Sequence, residues 1–306
     1  MLNKTVVHIT SQTFCKSDEL VALLSALKIS PVLWDQNIPL EVFLKEAKWL
    51  IAGTEKIDQI LLEQTPKLRG ISKYGVGTDN LDLHFLNSSP IQLALHPGTN
   101  KLAVAEYALS FLLTGMHLMH RTSSKLIQKT WIKDGGQNLS SKTLGIIGFG
   151  NVGQELARLL KPFNCKILVS EIDEAKCMHT DTNIQFVDLN TVLRESNAVS
   201  LHIPLTQLTR DLINEDSLKL MKNNSILVNT SRGEIVSEVA IISHLKENSH
   251  FQYLADTHTP EPYFGKLIEL ENFMGTPHSA GNSKEAILLA GQAAIAGIKE
   301  LIERAT

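Results

Sequence analysis

A glycine pattern in the middle of the chain has the spacing of a phosphate-binding loop. The segment 144–153 reads LGIIGFGNVG and places G-x-G-x-x-G between an apolar run and a helical pattern. In such a loop the first glycine permits a tight turn, the second admits a pyrophosphate, and the third lets helix and strand pack closely. The helix N-terminus adds N–H groups and a positive dipole. A dinucleotide is therefore expected at Gly148, Phe149, Gly150, Asn151, Val152 and Gly153; a glycine-rich turn without ligand is the alternative.

An acidic residue follows this loop at the distance that dinucleotide binding requires. Glu171 ends the apolar run 167–170, about 20 residues beyond the loop, where a carboxylate accepts hydrogen bonds from ribose hydroxyls. The same negative charge repels a 2′-phosphate, so the sequence predicts NAD rather than NADP as the cofactor. Because Asp173 and Glu174 lie close by, a solvated glutamate at the start of a loop is the alternative.

Three residues near the ends of later strands have side chains suited to acid–base chemistry beside a nicotinamide. Hydride transfer to a carbonyl needs an acid to protonate the oxygen, and a cation to hold the substrate assists it. His278 lies in the loop GTPHSAG, and Arg232 follows a strand in NTSRG, where a guanidinium can clamp a carboxylate. Glu261 lies between two prolines, and a carboxylate beside a histidine fixes its tautomer. For Arg232 a surface salt bridge, for instance with Glu234, is the alternative.

The remaining histidines are weaker candidates for the acid. Most of them fall in predicted strands or helices, where histidines are commonly structural or solvated. His117 and His120 have helical spacing, but no H-E-x-x-H motif or Cys/His cluster accompanies them, so no metal site is expected. The remaining histidines occupy positions 8, 84, 96, 117, 120, 179, 202, 244, 250 and 258.

Two series of alternating strand and helix patterns surround these residues. Short apolar runs in the first hundred residues predict strands at 6–9, 31–34, 49–52, 68–72 and 91–95. A second series predicts strands at 144–148, 166–170, 185–187, 198–202, 225–229 and 252–255. Long helices are expected over 100–128 and 283–304. Such alternation favours parallel sheets with helices on both faces.

Composition excludes several other classes of protein. The 306 residues include 29 Lys+Arg and 32 Asp+Glu, and a net charge of -3 argues against nucleic acid or an anionic membrane as partner. A hydrophobic share of 43% argues against disorder, and the length suggests two domains. Three cysteines without a C-x-x-C pair suit a reducing cytoplasm. The longest apolar stretch, 102–119, carries Glu106, so no membrane span is expected.

Six segments, in register along nearly the whole chain, resemble the D-isomer-specific 2-hydroxyacid dehydrogenase family. They are YGVGTDN at 74–80, VAE at 104–106, the glycine loop with Glu171, LHIPLT at 201–206, LVNTSRG at 227–233 and TPH at 276–278. The resemblance implies an α/β fold of two doubly wound parallel-sheet domains with the active site in the cleft between them. The flavodoxin-like substrate domain would comprise residues 1–98 plus 283–306, and the Rossmann NAD domain residues 99–282.

The resemblance also implies an activity. The family members are NAD-dependent oxidoreductases that interconvert a D-2-hydroxy acid and its 2-oxo acid, usually as homodimers. By this resemblance His278 is the acid–base residue, Glu261 its partner and Arg232 the substrate-binding arginine. Further cofactor contacts would fall to Val104, His202, Pro204, Thr230 and Asp256. Substrate contacts would fall to Tyr74, Val76, Gly77 and Asn100.

Two departures from the family pattern bear on the site and the substrate. His258 stands where aliphatic or aromatic residues are usual, so it is a rival or helper of His278. Relatives that oxidise 3-phosphoglycerate place arginines after the third strand, whereas this chain has GTEK at 53–56. That difference weakens the case for a phosphorylated substrate, although Lys73 or Arg69 remains a possible source of charge. A phosphoglycerate dehydrogenase-like role is nevertheless the first substrate expectation, with hydroxypyruvate/glycerate close behind.

Two other functions share parts of these motifs. Transcriptional co-repressors use the same fold to sense NAD(H), and they can retain the Arg, Glu and His set without physiological turnover. A dehydrogenase of the alanine type, or a homocysteine-hydrolase type of enzyme, shares the glycine loop but gives no reason for the TSRG and TPH segments. A 2-hydroxyacid dehydrogenase is therefore the leading interpretation.

Overall fold

A computed structural model describes residues 5–177 and 183–305. The chain divides into two compact units, one formed by Met1–Asn100 with Asn282–Thr306 and the other by Lys101–Gly281. The sequence placed the two divisions after residues 98 and 282, within two residues of these bounds. Which unit binds cofactor and which binds substrate stays a prediction. His179, one of the histidines considered above, lies outside the described residues.

The first unit contains a five-stranded parallel sheet in the order β2-β1-β3-β4-β5. Its strands are β1 (Thr5–Ile9), β2 (Ile29–Leu33), β3 (Trp49–Ala52), β4 (Gly70–Lys73) and β5 (Gln92–Ala94). Its first helices are α1 (Gln12–Cys15), α2 (Asp18–Ala26), α3 (Leu40–Leu44), α4 (Gln59–Glu63) and α5 (Leu83–Ser88). This order is flavodoxin-like and reverses between β1 and β3, as the fold prediction requires.

The second unit contains a seven-stranded parallel sheet in the order β12-β11-β10-β9-β6-β7-β8. Its strands are β6 (Thr143–Ile147), β7 (Lys166–Ser170), β8 (Ile184–Phe186), β9 (Ala198–Leu201), β10 (Ile226–Asn229), β11 (Gln252–Ala255) and β12 (Phe273–Gly275). The order reverses between β6 and β9, and ligands of such sheets bind beyond the carboxyl ends of the strands at that point.

In the described part of the chain, six α-helices belong to the second unit, and a further α-helix lies in the first. They are α6 (Lys101–Met116), α7 (Met119–Ile127), α8 (Asn151–Leu160), α9 (Leu189–Glu195), α10 (Glu215–Leu220), α11 (Glu238–Glu247) and, in the first unit, α12 (Lys284–Arg304). Ser283 caps α12 by accepting a hydrogen bond from the N–H of Ala286 at 3.1 Å. Ile295, Ile298 and Leu301 of α12 pack into the apolar core of the first unit.

Successive residues of the central strands are buried, and they pack alternately on the two faces of the sheet. Ile146 and Ile167 pack into one apolar cluster of the second unit, whereas their neighbours Ile147 and Leu168 pack into another. The side chains of successive strand residues point to opposite faces, so each cluster occupies one face of the sheet. The buried runs that predicted these strands are therefore explained by helices covering both faces.

The long helix predicted over 100–128 is wrong as a single helix. Leu118 adopts a left-handed backbone with φ 54°, and α6 and α7 meet there at 66°. The apolar composition carried no signal of this break. Among the described residues, no single helix is long and apolar enough to cross a membrane, although α6 and α7 together meet those two criteria.

Candidate active site

The glycine loop lies at the point where the order of the seven-stranded sheet reverses. Gly148 follows β6 with φ +93°, and a Cβ there would lie 2.5 Å from the carbonyl oxygen of His202, which follows β9. A Cβ on Gly153 would collide with the carbonyl oxygen of Gly148, so both glycines permit close backbone packing. By contrast, a Cβ on Gly150 would meet nothing within 4 Å. Gly150 therefore opens onto the space that a pyrophosphate needs.

The first turn of α8 offers backbone N–H groups to that space. Gly150 is the N-cap residue of α8, and no side chain caps the helix there. Asn151 and Val152 form the first turn. Unsatisfied N–H groups and the helix dipole both favour a phosphate at this end.

Glu171 lies beside the glycine loop, at the end of β7. One carboxylate oxygen, Oε2, accepts a hydrogen bond from the N–H of Phe149 at 2.6 Å. The other oxygen accepts from the N–H groups of Ile172 and Asp173, both at 2.9 Å. The sequence did not anticipate these backbone bonds. They orient the carboxylate at the loop where a ribose is expected.

The other predicted cofactor residues surround the same strand ends or lie on α6. Thr230 directly follows β10, and its buried hydroxyl has no hydrogen-bond partner among the residues that the structure describes. His202 is half-buried, and desolvation lowers the pKa of its imidazole to about 3, so the ring is neutral. Val104 is buried on α6, and Pro204 is exposed beyond β9. An open cradle with an unpaired hydroxyl fits a dinucleotide, which these residues would hold.

Arg232 projects from a loop that its own neighbours brace. The side-chain amide nitrogen of Asn229 donates to the carbonyl oxygen of Arg232 at 2.8 Å. The side-chain oxygen of Asn229, Oδ1, accepts from the N–H of Ser231 at 3.0 Å. The hydroxyl of Ser231 donates to the carbonyl oxygen of Leu201 on β9 at 2.6 Å. Arg232 Nη1 donates to the carbonyl oxygen of Ser231 at 2.7 Å. These hydrogen bonds fix the backbone of the loop from which the Arg232 side chain projects.

The structure brings Glu261 and His278 together. Oε2 of Glu261 lies 2.8 Å from Nδ1 of His278, and the two side chains are 39% and 45% exposed. A carboxylate only accepts, so Nδ1 carries the hydrogen of this bond. His278 has a left-handed backbone with φ 52°, which is uncommon for a residue with a side chain and points to a constrained loop.

Asp256 supplies that constraint. The residue is fully buried at the end of β11, and its carbonyl oxygen accepts from the N–H of His278 at 2.8 Å. Its carboxylate accepts from the N–H groups of Ser279 and Ala280 at 2.9 and 2.8 Å, and from the hydroxyl of Thr276 at 2.6 Å. Its carboxylate thus binds the loop that carries His278, a role that the sequence did not reveal. The predicted contact of Asp256 with the cofactor stays a prediction.

His258, the predicted rival of His278, is held by other groups. Its Nε2 lies 2.9 Å from the carbonyl oxygen of Thr276, and its ring stacks on Tyr263 with centroids 5.1 Å apart. Because a carbonyl oxygen only accepts, Nε2 donates to the backbone and is not oriented toward a substrate. Among the described residues, no group of three or more His, Cys, Asp or Glu side chains comes together as a metal site.

In the first unit, Tyr74, Val76 and Gly77 form the loop after β4, at the carboxyl end of the sheet. Gly75 turns this loop with φ +88°. Burial against Phe14 raises the pKa of the Tyr74 phenol to about 12, so the phenol stays protonated. Asn100 is the last residue before α6, and its buried Oδ1 accepts no hydrogen bond from any residue within 5–177 or 183–305.

Two charged residues at this edge of the first sheet gave only a weak sequence signal. Lys73 is 3% exposed, and its Nζ donates to the carbonyl oxygens of Gly53 and of Tyr74, the latter at 3.0 Å. Glu55 accepts from the N–H of Gly53 at 2.9 Å and from the hydroxyl of Thr10. Glu55 thus lies at the reversal point between β1 and β3, and Lys73 lies beside it at the carboxyl end of β4.

Arg69 does not belong to this group. It precedes β4, at the amino end of the strand, whereas Tyr74 follows the carboxyl end. Of the two cations considered for a phosphorylated substrate, only Lys73 lies at the loop, and it is buried.

Comparison with known proteins identifies this arrangement. Residues 109–280 match the sequence model of the D-isomer specific 2-hydroxyacid dehydrogenase NAD binding domain, which is more than half of the chain. The chain belongs to the D-isomer specific 2-hydroxyacid dehydrogenase family. It is 37% identical to a glyoxylate reductase of Thermococcus litoralis over 243 residues, which cover 76% of this chain and 73% of that protein. It is 30% identical to a hydroxypyruvate reductase of Thermotoga maritima over 286 residues, covering 92% of each.

A solved structure also has the fold of this chain. The structure of the D-lactate dehydrogenase of Aquifex aeolicus with NAD and lactic acid superimposes with a TM-score of 0.85 over 97% of this chain and 96% of that one, at 24% identity. The family resemblance and the two α/β units are thereby confirmed. This member of the family is an NAD-dependent oxidoreductase that interconverts a D-2-hydroxy acid and its 2-oxo acid. Neither the family match nor these relatives support the NAD(H)-sensing co-repressor alternative.

Proposed function

We propose that His278 is the acid–base residue of this reaction and that Glu261 orients it and stabilises its charged form. The bond of 2.8 Å between Glu261 Oε2 and His278 Nδ1 is the single observation that carries this assignment. Because Nδ1 is committed to the carboxylate, Nε2 is the nitrogen that exchanges a proton with the substrate oxygen. Bound NADH supplies the hydride to the carbonyl carbon. In reduction, Nε2 donates its proton to the carbonyl oxygen, and Glu261 stabilises the imidazolium beforehand.

Arg232 holds the substrate in this proposal. A guanidinium presents N–H groups in a planar fork that matches a carboxylate and the adjoining carbonyl oxygen. The bracing of the loop by Asn229 and Ser231 supports this role, since a fixed backbone limits the positions of the fork. In the first unit, the N–H groups of Val76 and Gly77 are proposed carboxylate ligands, beside Tyr74 and Asn100.

The preferred substrate is a small 2-oxo acid without a phosphate, such as glyoxylate or hydroxypyruvate. Glu55 and Lys73 support this preference. A carboxylate after β3 repels a second anionic group, and the ammonium of Lys73 is engaged by two carbonyl oxygens. The glyoxylate and hydroxypyruvate reductases among the relatives support the same substrate class.

A substrate panel tests this proposal. NADH oxidation is followed at 340 nm with glyoxylate, hydroxypyruvate, pyruvate and 3-phosphohydroxypyruvate. The unphosphorylated acids should give the highest kcat/KM, and Glu55→Gln should raise the relative kcat/KM for 3-phosphohydroxypyruvate. Glu41→Gln, on the exposed face of α3, is the matched control. A wild-type preference for the phosphorylated acid would refute the substrate assignment.

We attribute the use of NAD rather than NADP to Glu171, which in this proposal places a negative charge where a 2′-phosphate would lie. The backbone bonds to both carboxylate oxygens support this orientation. A kcat/KM for NADPH equal to or above that for NADH would overturn the assignment.

We also propose that the chain forms a homodimer through α7 and the segment after it. No residue of α7 is buried within the chain, and four large apolar side chains in this region are exposed: Met119, Leu126, Ile127 and Trp131. A second copy would cover such a patch. Light scattering after size exclusion should give a dimer, and Ile127→Asp should shift it toward monomer. Ile172→Asp, at an exposed apolar residue elsewhere, is the control.

A reducing, cytoplasmic setting is proposed on the state of the cysteines. Cys15, Cys165 and Cys177 are all free thiols. Burial raises the pKa of the Cys15 and Cys165 thiols, which disfavours the reactive thiolate. Thiol titration of freshly isolated protein should find three reduced cysteines; a disulfide would contradict the setting.

A further inference from the structure

His258 lies on one loop of the second unit and contacts two others. Its backbone N–H donates to Oε1 of Glu261 at 3.0 Å, and its ring Nε2 donates to the carbonyl oxygen of Thr276 at 2.9 Å. Glu261 lies on the loop after β11, and Thr276 lies on the loop after β12, two residues before His278. His258 thus binds both loops that supply the Glu261–His278 pair.

The third loop is the one that carries Arg232. A Cβ on Gly233 would collide with the backbone carbon of His258, and this close approach requires glycine directly after the arginine. A Cβ on Gly275 would lie 3.2 Å from Cε1 of the His258 ring. The backbone of His258 therefore packs against Gly233, which follows Arg232. Its ring packs against Gly275, three residues before His278.

The ring of His258 cannot turn easily, because aromatic residues hold it on two sides. It stacks on Tyr263 at an interplanar angle of 22°, and it meets the edge of Phe273 with centroids 6.1 Å apart. The hydroxyl of Tyr263 in turn donates to Oε1 of Glu238 at 2.7 Å. This stack directs Nε2 toward the carbonyl oxygen of Thr276.

We propose that His258 is a positioning residue for the reaction, acting through the Glu261–His278 pair. Its backbone bond fixes Oε1 of Glu261, so that Oε2 faces His278. Its ring bond fixes the loop from which His278 projects. It exchanges no proton with the substrate. This inference rests on the proposed roles of Glu261 and His278.

The decisive variants separate the ring hydrogen bond from the ring packing. His258→Phe keeps an aromatic ring against Tyr263 and Phe273 but removes the N–H that binds the carbonyl oxygen of Thr276. His258→Gln loses the ring but places an amide N–H about where Nε2 lies. Because the misplacement of a catalytic group by a fraction of an ångström lowers the rate, we expect His258→Phe to lower kcat about tenfold. The KM for NADH should stay within about twofold of wild type, and His258→Gln should recover most of the lost kcat.

His250→Phe, at an exposed histidine of the same unit, is the matched control and should leave kcat unchanged. Wild-type kcat in His258→Phe would overturn the proposal. So would a loss in His258→Gln as large as that in His278→Ala, because His258 would then act in proton transfer itself.

A measurement without substrate keeps this inference separate from the proposed function. Long-range ¹⁵N–¹H spectra of the unliganded protein should show His258 with its hydrogen on Nε2 and slow exchange of that hydrogen. A hydrogen on Nδ1 alone would overturn the geometry even if the enzyme is active. If the spectra agree but wild type reduces no 2-oxo acid, the proposed function fails while the His258 contacts stand.

Discussion

Replacing Glu261 by glutamine tests how much the carboxylate contributes to acid–base catalysis. Glu261 accepts from two donors, the N–H of His258 through Oε1 and Nδ1 of His278 through Oε2. An amide keeps only one acceptor oxygen. If that oxygen stays with His258, the amide nitrogen faces Nδ1 as a second donor. This arrangement opposes the tautomer and the positive charge that proton donation to the substrate requires.

The expected loss in kcat follows from the energy of the hydrogen bond between Glu261 and His278 and from its exposure to water. A hydrogen bond to a charged group contributes about 1.5–3 kcal/mol. The two side chains are 39% and 45% exposed, so water screens the pair and about half of that value is expected to remain. A loss of about 0.8–1.5 kcal/mol corresponds to a factor of about 4–13 in rate. Glu261→Gln should therefore lower kcat by about this factor, much less than removal of His278 itself.

The assay is NADH oxidation at 340 nm with hydroxypyruvate or glyoxylate across a pH series. Glu269→Gln, at an exposed glutamate of the same unit, is the matched control. A kcat within twofold of wild type at every pH would refute the reasoning. A loss as large as that in His278→Ala would also refute it, because Glu261 would then be more than an orienting partner.

Three further predictions concern single side chains of the second unit. Arg232→Lys should lower kcat/KM to within about threefold of Arg232→Ala, because a point charge cannot replace the planar fork; wild-type activity of the lysine variant would contradict this. Asp256→Asn should lower the free energy of unfolding in urea by about 1–3 kcal/mol, because a buried acceptor is lost; an unchanged midpoint would contradict it. In the folded protein the pKa of His202 is lowered to about 3, so its ring stays neutral at pH 5. In the unfolded chain the ring gains a proton when the pH falls below its ordinary pKa of 6.5. Wild type should therefore lose about 2 kcal/mol more stability than His202→Gln between pH 7 and pH 5, and equal losses would contradict the burial of the ring.

The sequence predicted the parts of the fold that depend on local pattern. Apolar runs marked the buried strands, because a parallel sheet covered on both faces needs nearly continuous apolar residues. Ser17, a residue type favoured at helix N-termini, caps α2 by accepting a hydrogen bond from the N–H of Leu20. The break at Leu118 was missed, since a left-handed leucine leaves no mark in composition. The short helices α1 and α5 were missed, because four and six residues are too few to show a helical repeat of apolar positions.

For the site, the sequence identified residue types but not the contacts between them. The spacing of Glu261 and His278 could not show that the two side chains meet, because their loops follow different strands. The hydrogen bonds by which Asp256 and His258 bind the loop that carries His278 were not predicted either. Such contacts depend on tertiary structure, and no local pattern encodes them.

Single-turnover hydride transfer in His278→Ala tests the central assignment most directly. Enzyme in excess over NADH is preloaded with the cofactor and mixed with saturating hydroxypyruvate, or with the better acid from the panel, and the single turnover of NADH is followed in a stopped-flow instrument. The rate should fall by about 10²–10⁴ relative to wild type, as for loss of a general acid. The Kd for NADH, measured by fluorescence, should change by less than about twofold, because His278 holds no part of the cofactor in this assignment. A near-normal rate of hydride transfer with normal NADH binding would contradict the assignment of His278 as the proton donor.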